Sequence, residues 1–399
     1  MQLSLPGRPH LTYCTNIHPG ESWSEIRAGL TRYLPRVKRE ISPDQAMGVG
    51  LRLSAIAADE LSDPPALEEF RRFLADGGFY VFTINAFPYG NFHGARVKEQ
   101  VYQPDWRAPE RVRFSIQVAD LVSKLAPEGM AASISTVPGA FKSDIKTSVD
   151  IDRITENFVR VAAYLHGIAE TTGRTIVLAI EPEPACFLET TAEAIGYFED
   201  RLFHDDARKL FANLAGVPIA KAEGCLRRHI GLCFDVCHSA VEFEDTVPTL
   251  EAVLASGIAI AKLQLSAALK VAGDPSHFEC LLGRFDDGIY LHQTVQRRDG
   301  RITRHTDLPE AFLAARGEQA GGEWRVHCHV PVFLERYETL GSTQQNLREA
   351  LGLCRAQEIS PHLEVETYTW SVLPEALKSQ EVVGDIVREL QWVRAELGA

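Results

Sequence analysis

Hydrophobic residues in this chain form two alternating kinds of segment. Short apolar runs recur along the sequence, and longer stretches with apolar positions three and four residues apart lie between them. The predicted strands are Leu11–Asn16, Met47–Ser54, Phe79–Asn85, Ala131–Thr136, Thr175–Glu181, His229–Asp235, Ile258–Leu265, Trp324–Val330 and His362–Thr367. The predicted helices include Trp23–Tyr33, Pro64–Leu74, Pro109–Leu125, Ile151–Thr171 and Glu193–Leu202. This alternation predicts an α/β fold with a parallel sheet.

The spacing of the strands favours an eightfold (β/α)8 TIM barrel with one long insertion. Strand ends lie roughly 30 to 50 residues apart over much of the chain, against ~30 in a compact barrel unit. Nine strand candidates compete for eight positions, and two β-like runs around Asp299-Gly300 are typical of a hairpin. We therefore predict one domain over residues 1–399, with an insertion at about 268–332 that holds the hairpin and Trp324–Val330. The segment His362–Thr367 is then the eighth strand.

Composition and charge limit the partners and the location. The chain has 399 residues, 45% of them hydrophobic, which is enough to bury a large core. Its formal net charge of -13 disfavours nucleic acid and anionic membrane surfaces. The sequence contains no apolar run of the ~18 residues that cross a bilayer and no signal-peptide pattern at its start. Eight scattered cysteines suit reduced thiols, so we expect a cytoplasmic protein that binds a small polar metabolite.

Carboxylates end three of the predicted strands. Glu181 follows an apolar run within Ile-Glu-Pro-Glu-Pro, Asp235 follows Ile-Gly-Leu-Cys-Phe, and Glu366 follows Leu-Glu-Val. Glu181 alone is readily explained as a solvated loop charge, and Asp235 as the N-cap of the next helix. Because the carboxyl ends of barrel strands meet at one face, the recurrence on three strands favours a divalent metal site instead.

Further polar residues accompany these carboxylates. His238 comes three residues after Asp235 and is expected to face the same site. The period of two along a strand directs Gln264 inward, where its amide offers a neutral oxygen, and Lys270 follows later in the chain. Glu364 and Glu366 share a face of the eighth strand. Glu366, nearer the mouth of the barrel, is the predicted ligand, but the register of this strand is open by a residue or two, so Glu364 stays an alternative.

The order of these motifs resembles the xylose isomerase-like barrel superfamily of sugar isomerases, ketose 3-epimerases and endonuclease IV-type enzymes. The shared motifs are Glu-Pro-Glu-Pro, Asp-x-x-His, Lys-x-Gln-x-Ser and Leu-Glu-Val-Glu-Thr. The resemblance implies that Glu181, Asp235, Gln264 and Glu366 hold a divalent metal and that His238 contacts substrate or a second metal. Gln264 departs from the superfamily, which usually has histidine at this position.

Other segments resemble the EboE family of metabolite traffic proteins. They are Tyr13–Glu21, Asn85–Gly90 with His93, Ser135–Gly139 and Val326–Pro331. Members of that family belong to bacterial gene clusters that make or export secondary metabolites. The resemblance therefore implies a pathway context, in which partner proteins of the pathway are possible.

Four histidines are candidates for substrate binding. His327 and His329 are two residues apart, so on a strand they face the same way. They contact substrate in the favoured interpretation, and in an alternative they join His238 around a second metal. His18 and His93 are expected at the mouth of the barrel.

The leading functional hypothesis is an isomerase or epimerase that uses Mg²⁺, Mn²⁺ or Zn²⁺ and acts on a sugar- or cyclitol-like metabolite. In it, Glu181 or Glu366 moves a proton, and His238 or Lys270 stabilises charge on oxygen. Two alternatives stay open. One is a metal-assisted hydrolase of a small phosphorylated metabolite, and the other is a noncatalytic protein that binds or carries a metabolite.

Overall fold

A computed structural model describes residues 1–90, 92, 97–272, 278–316, 321–371, 373–378 and 381–399. Its strands are β1 (His10–Tyr13), β2 (Met47–Arg52), β3 (Phe79–Asn85), β4 (Ala132–Thr136), β5 (Ile176–Ile180), β6 (Ile230–Asp235), β7 (Ile260–Leu265), β8 (Ala268–Ala272), β9 (Thr294–Arg298), β10 (Arg301–His305), β11 (Glu323–His329), β12 (Arg336–Tyr337), β13 (Leu340–Ser342) and β14 (His362–Val365).

Helices follow most of the strands. They are α1 (Trp23–Ile41), α2 (Ala55–Leu61), α3 (Pro64–Gly77), α4 (Pro109–Leu125), α5 (Ser148–Thr172), α6 (Thr191–Tyr197), α7 (Asp205–Ala215), α8 (Ile219–His229), α9 (Val236–Val241), α10 (Thr246–Ala255), α11 (Phe278–Leu282), α12 (Leu308–Ala315), α13 (Gln344–Ala356) and α14 (Val382–Leu397). None of these described helices is both long and apolar enough to cross a membrane.

Eight parallel strands form the nearly closed barrel that the sequence predicts. Their order around the barrel is β1-β14-β7-β6-β5-β4-β3-β2, and a bridge between Cys14 and Gly50 joins the two ends. A side chain at position 50 would clash with the Glu364 carboxylate and the Tyr13 carbonyl. Glycine is therefore required where β1 and β2 approach each other.

A buried ion pair lies inside the barrel, between two neighbouring strands. Lys262 on β7 and Glu364 on β14 have fully buried side chains, and Lys262 Nζ contacts Glu364 Oε2. Lys262 Nζ also lies 3.3 Å from Ser135 Oγ. The carboxylate raises the pKa of Lys262 despite its burial, so this lysine stays charged. Glu364 is thus ion-paired inside the barrel.

A second, six-stranded sheet lies beside the barrel mouth, in the order β10-β9-β11-β8-β13-β12. The predicted hairpin is present: β9 and β10 pair antiparallel around Asp299 (φ 50°) and Gly300 (φ 76°). Two successive residues in the left-handed region match the twist of a two-residue hairpin. The sheet runs from Ala268 to Ser342 and so extends past the predicted end of the insertion at 332. It has its own core, including Leu269, Trp324 and Val326.

Two predicted helices differ from the observed ones at their ends. The segment Trp23–Tyr33 continues as α1 to Ile41, because Leu34, Val37 and Ile41 extend the buried stripe past Pro35. The segment Glu193–Leu202 divides into α6 and a turn of wider π-helix at Phe198–Leu202. Apolar periodicity located both helices, while packing against the barrel set their ends.

Replacing Lys262 with methionine leaves Glu364 buried without its cation. We expect Lys262→Met to lower the free energy of unfolding by about 3–5 kcal/mol. The double variant Lys262→Met/Glu364→Met removes both charges, and its free energy of unfolding is expected to fall less than that of the single variant. Urea unfolding followed by circular dichroism measures both. A cost near zero for Lys262→Met would contradict the structural importance of the pair.

Candidate metal centre

The structure brings together the three carboxylates that end barrel strands. Glu181 directly follows β5, Asp235 ends β6, and Glu366 directly follows β14. One oxygen atom from each lies within 4.8 Å of the other two, and all three residues are buried. Parallel strands that end at one face of a barrel produce this convergence. Their role as metal ligands remains a prediction.

Hydrogen bonds hold one oxygen of each carboxylate in place. Asn16 and Asn85 donate to Glu366 Oε1 at 2.7 and 3.1 Å. Ser266 donates to Asp235 Oδ1 at 2.7 Å, and Gln264 Nε2 donates to Glu181 Oε1 at 3.1 Å.

Several other oxygens in the cluster are buried without a hydrogen-bond donor among the described residues. They are Glu181 Oε2, Asp235 Oδ2 and the amide oxygen of Gln264. A buried oxygen without a partner is costly, and a bound cation removes that cost. The residues present therefore fit a divalent ion.

Three histidines complete the cluster in one fixed tautomer. Nδ1 of His238 lies 2.9 Å from the Pro182 carbonyl oxygen, and Nδ1 of His329 lies 2.7 Å from that of Glu366. Nδ1 of His327 lies 2.8 Å from the amide oxygen of Gln293. Because these oxygens only accept hydrogen bonds, each Nδ1 carries a proton and a neutral ring keeps its lone pair on Nε2. Metal-binding histidines are oriented in this way.

The imidazoles lie against the carboxylates in two overlapping groups. Nε2 of His238 and Nε2 of His329 are each 3.9 Å from Asp235 Oδ2. These three residues form one group with ligand atoms within 4.8 Å of one another, and Glu183, His238 and His327 form a second. His238 belongs to both groups, so ions bound to the two groups would be neighbours.

Glu183 belongs to this cluster as well, although it is not among the site residues predicted from the sequence. Tyr102 donates to Glu183 Oε1 at 2.6 Å, and Gln293 Nε2 lies 3.2 Å from the same atom. Glu183 Oε2 has no partner in the described part of the chain. The second glutamate of Glu-Pro-Glu-Pro was the available signal, because the two glutamates share one turn. Tyr102 and Gln293 come from distant loops and carried no local signal.

The acidic groups of the cluster have different pKa values. Burial raises the pKa of Glu181 to about 7 and, with the neighbouring Glu181 and Asp235, raises the pKa of Glu366 well above its usual value. Burial also opposes ionisation of Asp235, but His238, His329 and two hydrogen bonds outweigh it and lower that pKa. The carboxylates likewise outweigh burial at His238 and raise its pKa. Several buried carboxylates this close together favour the binding of protons or of a metal cation.

Two other predicted residues, His18 and Lys270, stand apart from this cluster. His18 is buried beside β1, where its ring stacks on Tyr33 at 4.2 Å and its Nε2 lies 3.0 Å from the Tyr13 hydroxyl. Lys270 is half-buried on β8 and lines a separate cavity of the second sheet. Its neighbours Leu269 and Val271 pack into the core of that sheet, so strand alternation directs Lys270 to the opposite face. His93 lies outside the described residues.

The cluster lies in a cavity at the barrel mouth in which the centres of water molecules can occupy about 60 Å³. That space holds several waters, or an ion with part of a small ligand. Polar lining residues are Asn16, Asn85, Glu181, Glu183, His238, His327, His329 and Glu366. Loops supply the remaining walls.

Comparison with known proteins supports the fold. No protein-family profile and no curated protein matches the chain. Among solved structures, a candidate sugar phosphate isomerase/epimerase from Anabaena variabilis matches with a TM-score of 0.50, 10% identity and 98% of both chains covered. A xylose isomerase domain protein from Planctomyces limnophilus matches at 0.49, with 11% identity over 91% of this chain and 92% of that one.

The IOLI protein, solved with a bound zinc atom, matches with a TM-score of 0.47, 12% identity and 98% of both chains covered. The likeness to the Anabaena variabilis structure is one of fold alone, and it agrees with the eight-stranded α/β barrel of this chain.

Removing one carboxylate is expected to weaken metal binding. We expect Glu181→Gln to lower Mn²⁺ affinity about 100-fold or more, because a charged ligand is replaced by a neutral one. The matched control is Glu338→Gln, because Glu338 forms a surface ion pair with Arg284 and is not part of the cluster. Electron paramagnetic resonance of free Mn²⁺ gives both affinities. Equal affinities in the two variants would remove Glu181 from the metal centre.

Metal affinity is also expected to depend on pH. Protons compete with the ion for Glu181, whose pKa burial raises to about 7, and for Glu366, whose pKa burial and the neighbouring carboxylates also raise. At low pH these carboxylates are protonated and bind the ion weakly. As the pH rises from about 5.5 to about 8 they lose their protons, so Mn²⁺ affinity should rise steadily over this range. The same resonance titration at several pH values tests this, and a flat profile would contradict it.

Proposed function

We propose that this protein is a metal-dependent isomerase or epimerase that moves a proton at a carbon beside the carbonyl of a sugar- or cyclitol-like substrate. The observation that carries the proposal is the convergence of Glu181, Asp235 and Glu366, with two imidazoles beside them. Nε2 of His238 and of His329 each lies 3.9 Å from Asp235 Oδ2, and that of His329 has no hydrogen-bond partner among the described residues. Carboxylate together with imidazole suits Mn²⁺ or Zn²⁺ better than Mg²⁺.

In this proposal, Glu181, Asp235, Glu366 and His329 hold the ion. His329 supplies the imidazole that Gln264 does not, while the Gln264 amide orients Glu181. The ion, when bound, polarises the carbonyl of the substrate.

Glu183 is the residue best placed to move the proton. Tyr102 and Gln293 fix one of its oxygens, its other oxygen has no partner among the described residues, and burial raises its pKa. A carboxylate with a raised pKa is a stronger base and is reprotonated near neutral pH. This assignment replaces Glu181 and Glu366 in that role, because both are needed to hold the ion.

His238 is assigned to the developing oxygen charge. Its Nδ1 proton is committed to the Pro182 carbonyl, and the surrounding carboxylates favour the protonated ring. A protonated His238 presents an Nε2–H donor beside Asp235 and Glu183, where it can donate to an oxyanion.

A second candidate is a metal-assisted hydrolase of a phosphorylated metabolite. The group of Glu183, His238 and His327 beside the first group favours it, because paired ions stabilise both oxygens in a displacement reaction. Metal analysis distinguishes the candidates: one ion per chain supports the isomerase, and two ions with phosphatase activity support the hydrolase.

The wider context is also a proposal. We propose a single xylose isomerase-like domain over residues 1–399 and a place in an EboE-type metabolite traffic pathway, on the sequence motifs described above. Eight free cysteines support a reducing, cytoplasmic environment.

Proton movement is measurable before the substrate is identified. Mn²⁺-loaded protein is incubated in D2O with a panel of aldoses, ketoses and keto-cyclitols, and deuterium beside the carbonyl is followed by NMR. We expect Glu183→Gln to lower the exchange rate about 100-fold or more while Mn²⁺ affinity stays within about threefold of wild type. Glu181→Gln should lower both the exchange rate and the Mn²⁺ affinity. Ligand binding without exchange across the panel would favour the noncatalytic alternative.

A further inference from the structure

The cavity above the candidate metal centre has one polar end and one apolar wall. The polar end is formed by carboxylates and imidazoles from strand ends and β11. The apolar wall comes from loops, and its members are Phe87, Phe92, Val97, Val101, Tyr290 and Leu291. A ligand that reaches the polar end therefore contacts this wall.

An aromatic cluster connects the wall to the polar end. The Phe92, Tyr290 and Tyr368 rings pack together with centroids 5.1–5.3 Å apart. The Tyr368 ring in turn lies 4.8 Å from the His329 ring. Aromatic surface thus begins directly beside the imidazole assigned to the metal.

The wall loops are joined to each other and so form a defined surface. Backbone N–H groups of Val97 and Lys98 both donate to the Ile289 carbonyl at 2.9 Å. The Asp287 carboxylate accepts from the Ile289 and Tyr290 backbone at 2.6 and 3.0 Å. These contacts fix Val97, Tyr290 and Leu291 on the same side of the cavity.

Among the lining residues that the structure describes, positive charge is scarce. Lys98 is the single lysine or arginine among the described lining residues, and its Nζ lies 2.5 Å from Asp307 Oδ2. Arg52 lies behind Phe92 and donates to the Gly20 and Gly90 carbonyls and to Glu21. For a phosphate dianion, the one described lysine is already paired with Asp307, and the carboxylates at the polar end repel a second negative charge.

We propose that the site binds an uncharged diol or hydroxy-carbonyl compound that carries an aromatic or alkyl group, and that it discriminates against sugar phosphates. The inference rests on the proposed function, because the metal centre holds the two oxygens of the ligand. The apolar group lies against Leu291, Tyr290 and Phe92, where its burial adds affinity.

Three small probes that share a vicinal diol test this selectivity. They are 1-phenyl-1,2-ethanediol, 1,2-propanediol and glycerol 3-phosphate, each titrated into the Mn²⁺-loaded full chain while the relaxation of Mn²⁺-bound water is measured. We expect the phenyl diol to bind at least about tenfold more tightly than propanediol. Glycerol 3-phosphate should bind no more tightly than propanediol. Tightest binding of the phosphate, or equal binding of the two uncharged diols, would overturn the proposal.

A pair of matched variants tests whether the apolar wall causes the preference for the phenyl diol. Leu291→Asn makes the wall polar, keeps the branching of the side chain and should reduce the preference for the phenyl diol at least about threefold. Leu313→Asn is the control, because Leu313 is 68% exposed on α12. Thermal melting verifies that both variants fold. An unchanged preference in a folded Leu291→Asn variant would contradict the assigned wall.

Titration of Mn²⁺ alone separates this inference from the proposed function. If Mn²⁺ binding does not depend on Glu181, the metal centre and the proposed function fail together with the inference. If Mn²⁺ binds with Glu181 and the phenyl diol shows no preference, only the substrate class is wrong.

Discussion

The ion pair between Lys262 and Glu364 is the contact on which the candidate site depends. It joins the neighbouring strands β7 and β14 inside the barrel, and both side chains are fully buried. Two residues further along the same strands stand Gln264 and Glu366, which the alternation of strand side chains directs into the barrel mouth. Since a buried charge is tolerated only with its partner, the pair strongly favours the arrangement of strands that places these residues beside Glu181 and Asp235.

The site combines two sheets with different tasks. The barrel supplies carboxylates, because its parallel strands all end at the mouth. The second sheet supplies His327 and His329 on β11, which pairs with β8 through a register shift between Val326 and His329. Only a short link separates β7 from β8, so the second sheet is anchored beside Gln264, where an imidazole is missing from the barrel.

Charge and apolar surface are divided sharply within the cavity. Glu181, Glu183, Asp235 and Glu366 are buried together, and burial raises three of their pKa values. Such a group is stable with protons or with a cation, which accounts for the proposed metal dependence. The aromatic loops around it form an apolar wall, and a lower local dielectric strengthens electrostatic contacts with a ligand.

Local patterns in the sequence determined the framework. Apolar runs located all eight barrel strands to within a few residues, Asp299-Gly300 indicated the hairpin, and charged residues at strand ends indicated Glu181, Asp235 and Glu366. Periodicity carries this information because it records which face of an element is buried. Tertiary structure alone placed Tyr102, Gln293 and Tyr368 at the site and kept His18 and Lys270 away from it. Loop direction depends on packing between distant segments, which no local pattern records.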